Sequence, residues 1–303
     1  MSKHIFWLSS YPKSGNTLLR SILISLFFTN DGIFNLNMLS KIEQFEKIGL
    51  IYKNKNIFKN DLKKINNLNI FYKYILELQK KNILNFNEDF KFYKSHSGNF
   101  GIAGHDFTKE ENVRGYIYLV RDPRDVCISW SKHMGITIDE SIKFMTNDFA
   151  SLKWNNFNDQ QNFFNDKMLP GQFLSSWDKH VISWVDVKWN VPNLIIKFED
   201  LVYKKKLVLD NIVNFFITNY GFKFDNLNIK ISNIIKTTSF NKLKKEEEIS
   251  GFRERSNKNN NAFFSVGKKN QWKKVLSKKE IDLINNNALF RKIMKRFNYE
   301  ISS

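Results

Sequence analysis

Apolar side chains crowd residues 4–10 (HIFWLSS) and recur on most sides of the stretch from Thr17 to Phe28, with a polar loop between them. The first run predicts a buried strand and the second a helix. Residues 59–82 place Leu62, Ile65, Tyr72, Ile75, Leu76 and Leu78 on or near one face, which predicts an amphipathic helix. FKFYKSH at 90–96 and GYIYLV at 115–120 read as strands. DPRDVCISWSKH follows the second of these, and Pro123 suits the first position of a helix. Residues 171–189 repeat Phe173, Leu174, Trp177, Val181, Trp184 and Val185 at helical spacing. NLIIKFEDL at 193–201 predicts a strand running into a loop, and Lys205 to Tyr220 a helix closed by Gly221.

Strands alternating with helices predict an α/β fold, a single domain over residues 1–303 with a central parallel sheet flanked by helices. Ligands of such sheets bind beyond the carboxyl ends of the strands, so the loops after residues 10, 96, 120 and 198 are the informative ones. The stretch 246–270 is polar and low in complexity around Ser256–Asn261, and is expected to be a mobile loop.

Composition narrows the classes. With 42% hydrophobic residues, a substantial core is within reach of 303 residues. One cysteine, Cys127, excludes an internal disulfide and fits a reducing compartment. The longest apolar run, Leu18 to Phe28, is interrupted by Arg20, Ser21 and Ser25, whereas a membrane span needs roughly 20 apolar residues. No leader pattern opens the chain, so a cytoplasmic location is expected. The net charge of +18 is compatible with an anionic partner. The lysines are spread along the whole chain, which argues against nucleic acid and leaves a small anionic ligand.

The loop SSYPKSGNTLLR has the physics of an anion cradle. Gly15 permits a tight backbone path, and the amides of Ser14, Gly15, Asn16 and Thr17 can converge on an anion at a helix N-terminus. Lys13 adds a point charge and Thr17 a hydroxyl. A Walker loop needs G-x-x-x-x-G-K-[ST], and here Lys13 precedes Gly15 by two with the first glycine absent. Standard ATP or GTP hydrolysis loses its support.

YPKSGNT resembles the 5′-phosphosulfate loop of the sulfotransferases that use 3′-phosphoadenosine 5′-phosphosulfate (PAPS), usually YPKSGTTW. YLVRDPRDVCISW at 118–130 is similar to the family's 3′-phosphate motif, with Arg121 at the strand end and Ser129 about two helical turns later. In isolation the same stretch also reads as an ordinary ion pair of Arg121 with Asp125. YKSH at 93–96 resembles the family's K-T-H, matching Lys94 to the lysine and His96 to the catalytic base; His105 competes, but the strand-end placement favours His96. The helix and strand before FED resemble the segment ending in Y-E-D, with Phe198 replacing the tyrosine, and His180 on that helix reads as structural. TTSF at 237–240 matches T-S-F, which implies that Thr238 and Phe240 approach the adenine. SVGKKNQWKK at 265–274 is a degraded form of R-K-G-x-x-G-x-W-K. Gly267, Trp272 and Lys273 align there, Ser265 and Val266 replace the basic pair, and Lys268, Lys269, Arg253 or Arg255 are the replacements available. Leu18 stands where the family has a tryptophan bordering adenine.

The resemblance spans residues 5 to about 275 and implies a P-loop NTPase-like fold. It implies in-line transfer of a sulfuryl group from PAPS to an acceptor hydroxyl or amine, leaving 3′-phosphoadenosine 5′-phosphate (PAP), with no metal. His96 would take the acceptor proton, suited by histidine's ordinary pKa near 6.5. Lys13 would stabilise charge on the leaving bridge oxygen and Lys94 the equatorial oxygens, while Arg121, Ser129 and Gly267 would hold the 3′-phosphate. The segment 30–90 has no family signature, and the acceptor-binding helices usually vary there; a small molecule or a glycan is the implied acceptor. The alternatives are a small-molecule P-loop kinase, against which the misplaced Lys13 argues, and a non-enzymatic nucleic-acid-binding protein.

Overall fold

Ile5–Ser10 forms β1, and all of its residues are buried, as the unbroken apolar run requires. The computed structural model describes residues 3–46, 53–64, 68–153, 170–252, 263–264 and 267–301. After β1 come α1 (Asn16–Phe28), β2 (Glu43–Gln44), α2 (Leu68–Leu78), β3 (Lys91–Ser95), β4 (Val113–Val120), α3 (Pro123–Met134) and α4 (Ile138–Met145). The rest of the fold is α5 (Trp177–Val185), β5 (Asn193–Lys197), α6 (Phe198–Tyr203), α7 (Lys205–Tyr220), α8 (Leu227–Thr237) and α9 (Phe240–Ser250), followed by shorter helices to Arg296. The five strands lie in the order β2-β3-β1-β4-β5, a central parallel sheet flanked by helices. β1 and β3 run parallel from Ile5 opposite Lys91 to Ser9 opposite Ser95. That register brings Ser10 and His96, the next residue on each strand, to the same carboxyl edge.

The chain divides into two compact units interleaved in sequence: Met1–Tyr11, Gln44–Tyr118 and Thr146–Asn193 in the first, and Pro12–Glu43, Leu119–Met145 and Leu194–Ser303 in the second. The first is organised on aromatic rings. Trp7 lies 5.2 Å from Phe45 and 5.2 Å from Phe107, and Trp184 lies 5.5 Å from Tyr116. The polar ends of Tyr116 and Trp184 are satisfied inside the core: Tyr116 donates to the Trp184 carbonyl (3.0 Å), and Trp184 Nε1 to the Ser97 carbonyl (2.9 Å). In the second unit, α1 is held by Arg20, a buried guanidinium that donates to the carbonyls of Leu39 (2.8 Å) and Ile42 (2.8 Å). Phe27, Phe216, Phe222 and Phe224 form an aromatic cluster between α1 and the end of α7.

Several sequence expectations need correction. The helix expected over 59–82 is a 3₁₀ segment, Lys55–Lys64, and then α2; Ile65, Asn66 and Asn67 lie outside the described residues. The helix expected over 171–189 begins only at Trp177. Pro170–Phe173 instead pairs antiparallel with Ser151–Lys153, and Ser175, at φ 60°, breaks the path before α5. Strand pairing overrode the helical spacing of Phe173 and Leu174. β5 leads directly into the helix α6 rather than a loop, with Glu199 and Asp200 in its first turn favouring that start. The loop expected over 246–270 meets α9 across its first residues, and 253–262 and 265–266 lie outside the described residues. Among the described residues no helix is long and apolar enough to cross a membrane.

His180 is fully buried in the first unit, as its structural reading expected. Its Nε2–H donates to the His96 carbonyl (2.9 Å) and its Nδ1 accepts from the Tyr118 hydroxyl (2.9 Å), which fits a neutral ring. Burial lowers its pKa to about 4. Between pH 6.5 and 4 only the unfolded chain binds this proton, so stability should fall as pH falls through that window, by about 3 kcal/mol for this group. The buried carboxylates Glu46, Asp125 and Glu199 have raised pKa values and act in the opposite sense. The comparison of parent with His180→Gln isolates the histidine: urea unfolding at pH 7.5 and 4.5 should show a flatter pH dependence for the variant. Equal dependence in both proteins would remove His180 from the account.

Candidate active site

β1 delivers the chain into the loop Tyr11–Gly15. Lys13 (φ 66°) and Gly15 (φ 99°) both adopt left-handed backbone, which turns successive amides toward one side and starts α1 at Asn16. Among the described residues no side chain caps α1, so its first amides retain their pull on an anion. Only glycine serves at position 15, for two reasons. The φ is unfavourable for other residues, and a Cβ there would collide with the Phe198 ring. The Ser14 side chain is fully buried, and its hydroxyl has no partner among the described residues. An anion in the cradle would answer that need. The Lys13 ammonium stands 4.0 Å from the centroid of the Phe263 ring.

Arg121, the residue after β4, is brought against this loop. Its Nη1 donates to the Lys13 carbonyl (2.8 Å), and its guanidinium lies 4.3 Å from the centroid of Phe198. Phe198, which replaces a tyrosine of the family pattern, therefore packs against both Gly15 and Arg121. Arg121 is 5% exposed, and its Nε is buried without a partner among the described residues, again a donor that suits an anion. Burial lowers its pKa, opposed by the charges of Asp125, Glu199 and Asp122. None of these carboxylates is bonded to Arg121. Asp122 caps α3 through the Arg124 amide (3.0 Å) and grips the Arg124 guanidinium at 2.9 and 2.7 Å. Glu199 accepts from the Asp122 amide (3.2 Å) and from Tyr299 (3.0 Å). Asp125 accepts from the amides of Asn270 (2.8 Å) and Trp272 (3.1 Å), so the alternative of an Arg121–Asp125 ion pair is replaced by a docking role.

The other nucleotide candidates sit in the same unit. Ser129 is half-buried on α3, two turns after Arg121. Asn16 and Thr17 are buried at the start of α1. Thr238 is fully buried, and its hydroxyl donates to the Ile234 carbonyl (2.6 Å) while its carbonyl accepts from Lys205 (2.7 Å). Burial lowers the Lys205 pKa to about 8. Phe240 opens α9 and covers Gly267, where φ is 59° and a Cβ would meet the ring. Ser265, Val266, Arg253 and Arg255 lie outside the described residues. Lys269 stands 4.9 Å from the Tyr203 ring centroid.

Lys94 and His96 belong to the first unit, at the carboxyl end of β3. Lys94 is buried and His96 partly exposed. His96 Nδ1 lies 2.8 Å from the Ser10 carbonyl and 3.3 Å from the Ser10 hydroxyl. Facing a carbonyl, Nδ1 carries the proton in the neutral ring, and Nε2 is then the basic nitrogen. His105 lies in a short two-stranded hairpin with Asp106, Gly101 and Ile102, which is not part of the five-stranded sheet. Among the described residues no group of three or more His, Cys, Asp and Glu side chains is arranged to hold a metal.

Sequence reasoning did not assign the parts that five residues play in these environments. Asp122 before Pro123 carries a legible helix-cap signal. Asp125 and Glu199 fall inside quoted motifs but bond across long sequence separations. Phe263 lies beyond the last matched residue before the degraded motif. Glu46, a buried acid in the first unit, has no local signal at all.

Residues 3–298 match the family model described as the sulfotransferase domain. No curated protein matches the chain significantly by sequence. Solved structures share its fold. Mouse sulfotransferase SULT7A1 complexed with PAP is 13% identical with a TM-score of 0.54, covering 99% of this chain and 90% of that one. Retinol dehydratase in complex with androsterone and the inactive cofactor PAP is 18% identical with a TM-score of 0.55, covering 97% and 82%. A retinol dehydratase complex with retinol and PAP is 16% identical with a TM-score of 0.56, also covering 97% and 82%. With a family match over nearly its whole length and a P-loop-like α/β sheet that carries the matching motifs at its strand ends, the chain belongs to the sulfotransferase family.

Proposed function

We propose that this sulfotransferase draws its sulfuryl group from PAPS and passes it to an acceptor hydroxyl or amine. The loop Lys13–Thr17 binds the 5′-phosphosulfate, Arg121 with Ser129 and Gly267 the 3′-phosphate, and His96 takes the acceptor proton. The observation that carries the reading is the bond from Arg121 Nη1 to the Lys13 carbonyl, 2.8 Å long, which ties a permanent fork-shaped cation to a left-handed anion loop. A donor with phosphate at both ends of an adenosine answers two such anchors. Unpartnered donors on Ser14 and Arg121 support the same fit.

The chemistry is assigned residue by residue. Lys13 neutralises charge that builds on the bridge oxygen as the sulfuryl group departs. Lys94 faces the equatorial oxygens. His96 receives the acceptor proton on Nε2, because the Ser10 carbonyl commits Nδ1 to N–H. Phe198 and Phe240 pack the turns at Gly15 and Gly267 and bring aromatic surface toward adenine, and Thr238 closes that side. The structural neighbours bound to androsterone and retinol point to a small alcohol as acceptor. The single cysteine, buried as Cys127, fits a cytoplasmic setting.

Isothermal titration with PAP, AMP and ATP tests the donor reading. PAP should bind most tightly, and Arg121→Ala should cost about 2 kcal/mol more of PAP binding than of AMP binding. Equal affinity of the parent for PAP and AMP would defeat the assignment. His96→Ala should bind PAP like the parent and lose turnover by about a thousandfold or more; an active variant would move the search to His105.

A further inference from the structure

Glu46 is a buried acid placed two residues after β2, where the sequence carries no motif, and it is 2% exposed. Its Oε1 accepts from the hydroxyls of Ser95 (2.5 Å) and Ser97 (2.6 Å), and its Oε2 from the Gln172 side-chain amide (3.0 Å). The Ser95 hydroxyl in turn accepts from the Ser97 amide (2.9 Å). One carboxylate therefore grips the residues on both sides of His96. The three donors suit the ionised form, which only accepts. Burial raises the Glu46 pKa, opposed by the hydrogen bonds from Ser95, Ser97 and Gln172. The neighbouring Tyr72 phenol is pushed up as well, first by burial and then by the Glu46 charge.

The same turn is held through its carbonyls. His180 donates to the His96 carbonyl and Trp184 to the Ser97 carbonyl, both at 2.9 Å. Carbonyls are thus secured from α5 and hydroxyls by Glu46. A buried charge that satisfies hydroxyls on either side of one residue is a costly way to stabilise a core, since apolar packing serves as well. Its specific effect is to fix one backbone geometry at that residue.

We infer that Glu46 is a positioning residue for His96. By holding Ser95 and Ser97 it aims the His96 ring so that Nδ1–H meets the Ser10 carbonyl and Nε2 is the nitrogen that receives the proton. The inference rests on the reading of His96 as the base.

The test compares Glu46→Ala, Glu46→Gln and Ser97→Ala in the full chain. The readouts are kcat, acceptor KM, PAP affinity and the imidazole nitrogen resonances of His96. Glu46→Ala should lower kcat about 10- to 100-fold. KM and the PAP Kd should stay within about twofold of the parent, since no ground-state contact is removed. Its His96 resonances should report mixed tautomers where the parent shows Nδ1–H alone. Glu46→Gln keeps the shape, because Gln172 can turn its own amide to suit, and should recover part of the loss. Unchanged kcat in Glu46→Ala, or a lower kcat with a single tautomer retained, would overturn the inference. If Glu46→Ala does not fold, Ser97→Ala decides: it should lower kcat several-fold with the same tautomer mixing, and a parent-like rate and spectrum would refute the role. The resonances are read on PAP-free protein, so they judge Glu46 even if His96→Ala proves active and the base reading fails.

Discussion

A buried guanidinium that bonds to a loop carbonyl and lies on an aromatic face is the constraint on which the nucleotide end of this molecule depends. Arg121 leaves the end of β4 buried, and burial alone works against its charge. It is retained because the Lys13 carbonyl, the Phe198 ring and three nearby carboxylates make the site electrostatically favourable to it. The bond to Lys13 also explains how the loop maintains two left-handed residues, one of them not glycine. Strain of that kind persists only where its surroundings determine it, and Arg121 with Phe198 supplies the determination. The carboxylates around the guanidinium remain free for other work: Asp122 caps α3, Glu199 anchors Tyr299, and Asp125 receives a distant segment.

The first unit solves a different problem, that of orienting one imidazole. The parallel register of β1 and β3 sets Ser10 beside His96, and the donor–acceptor pattern fixes which nitrogen keeps the proton. His180, neutral by burial, joins Tyr118 to the His96 carbonyl and contributes no charge of its own. Glu46 adds a carboxylate to this group, placed on the residues beside the ring rather than on the ring itself. Proton transfer is assigned to the ring, and the surrounding buried groups act by holding it.

Much of this was legible in the sequence. β1, α1, β3, β4 and α7 have clear apolar patterns and fell where periodicity set them, and the strand-end positions of Lys13, Arg121 and His96 follow from short motifs. The misreadings have different causes. Phe173 and Leu174 satisfy helical spacing, yet Phe173 pairs with the strand at Ser151–Lys153 and the Leu174 amide donates to the Ala150 carbonyl. FED after β5 looked like a loop because its helix is short and its start signal, two acidic residues, is weak. Glu46 could not be found at all: its partners are 49, 51 and 126 residues away, and only the folded chain brings them together. Long-range polar contacts leave no period and no spacing to read.

The two amides that Asp125 receives from Asn270 and Trp272 have a bearing on how this chain tolerates change. They reset the path of the backbone just after Gly267, and Arg124, stacked 3.6 Å over Trp272, secures the same point. Whatever precedes that anchor need not transmit its geometry forward. Gly267, three residues ahead of that anchor, is in turn registered against the Phe240 ring, with a φ of 59° and no room for a Cβ.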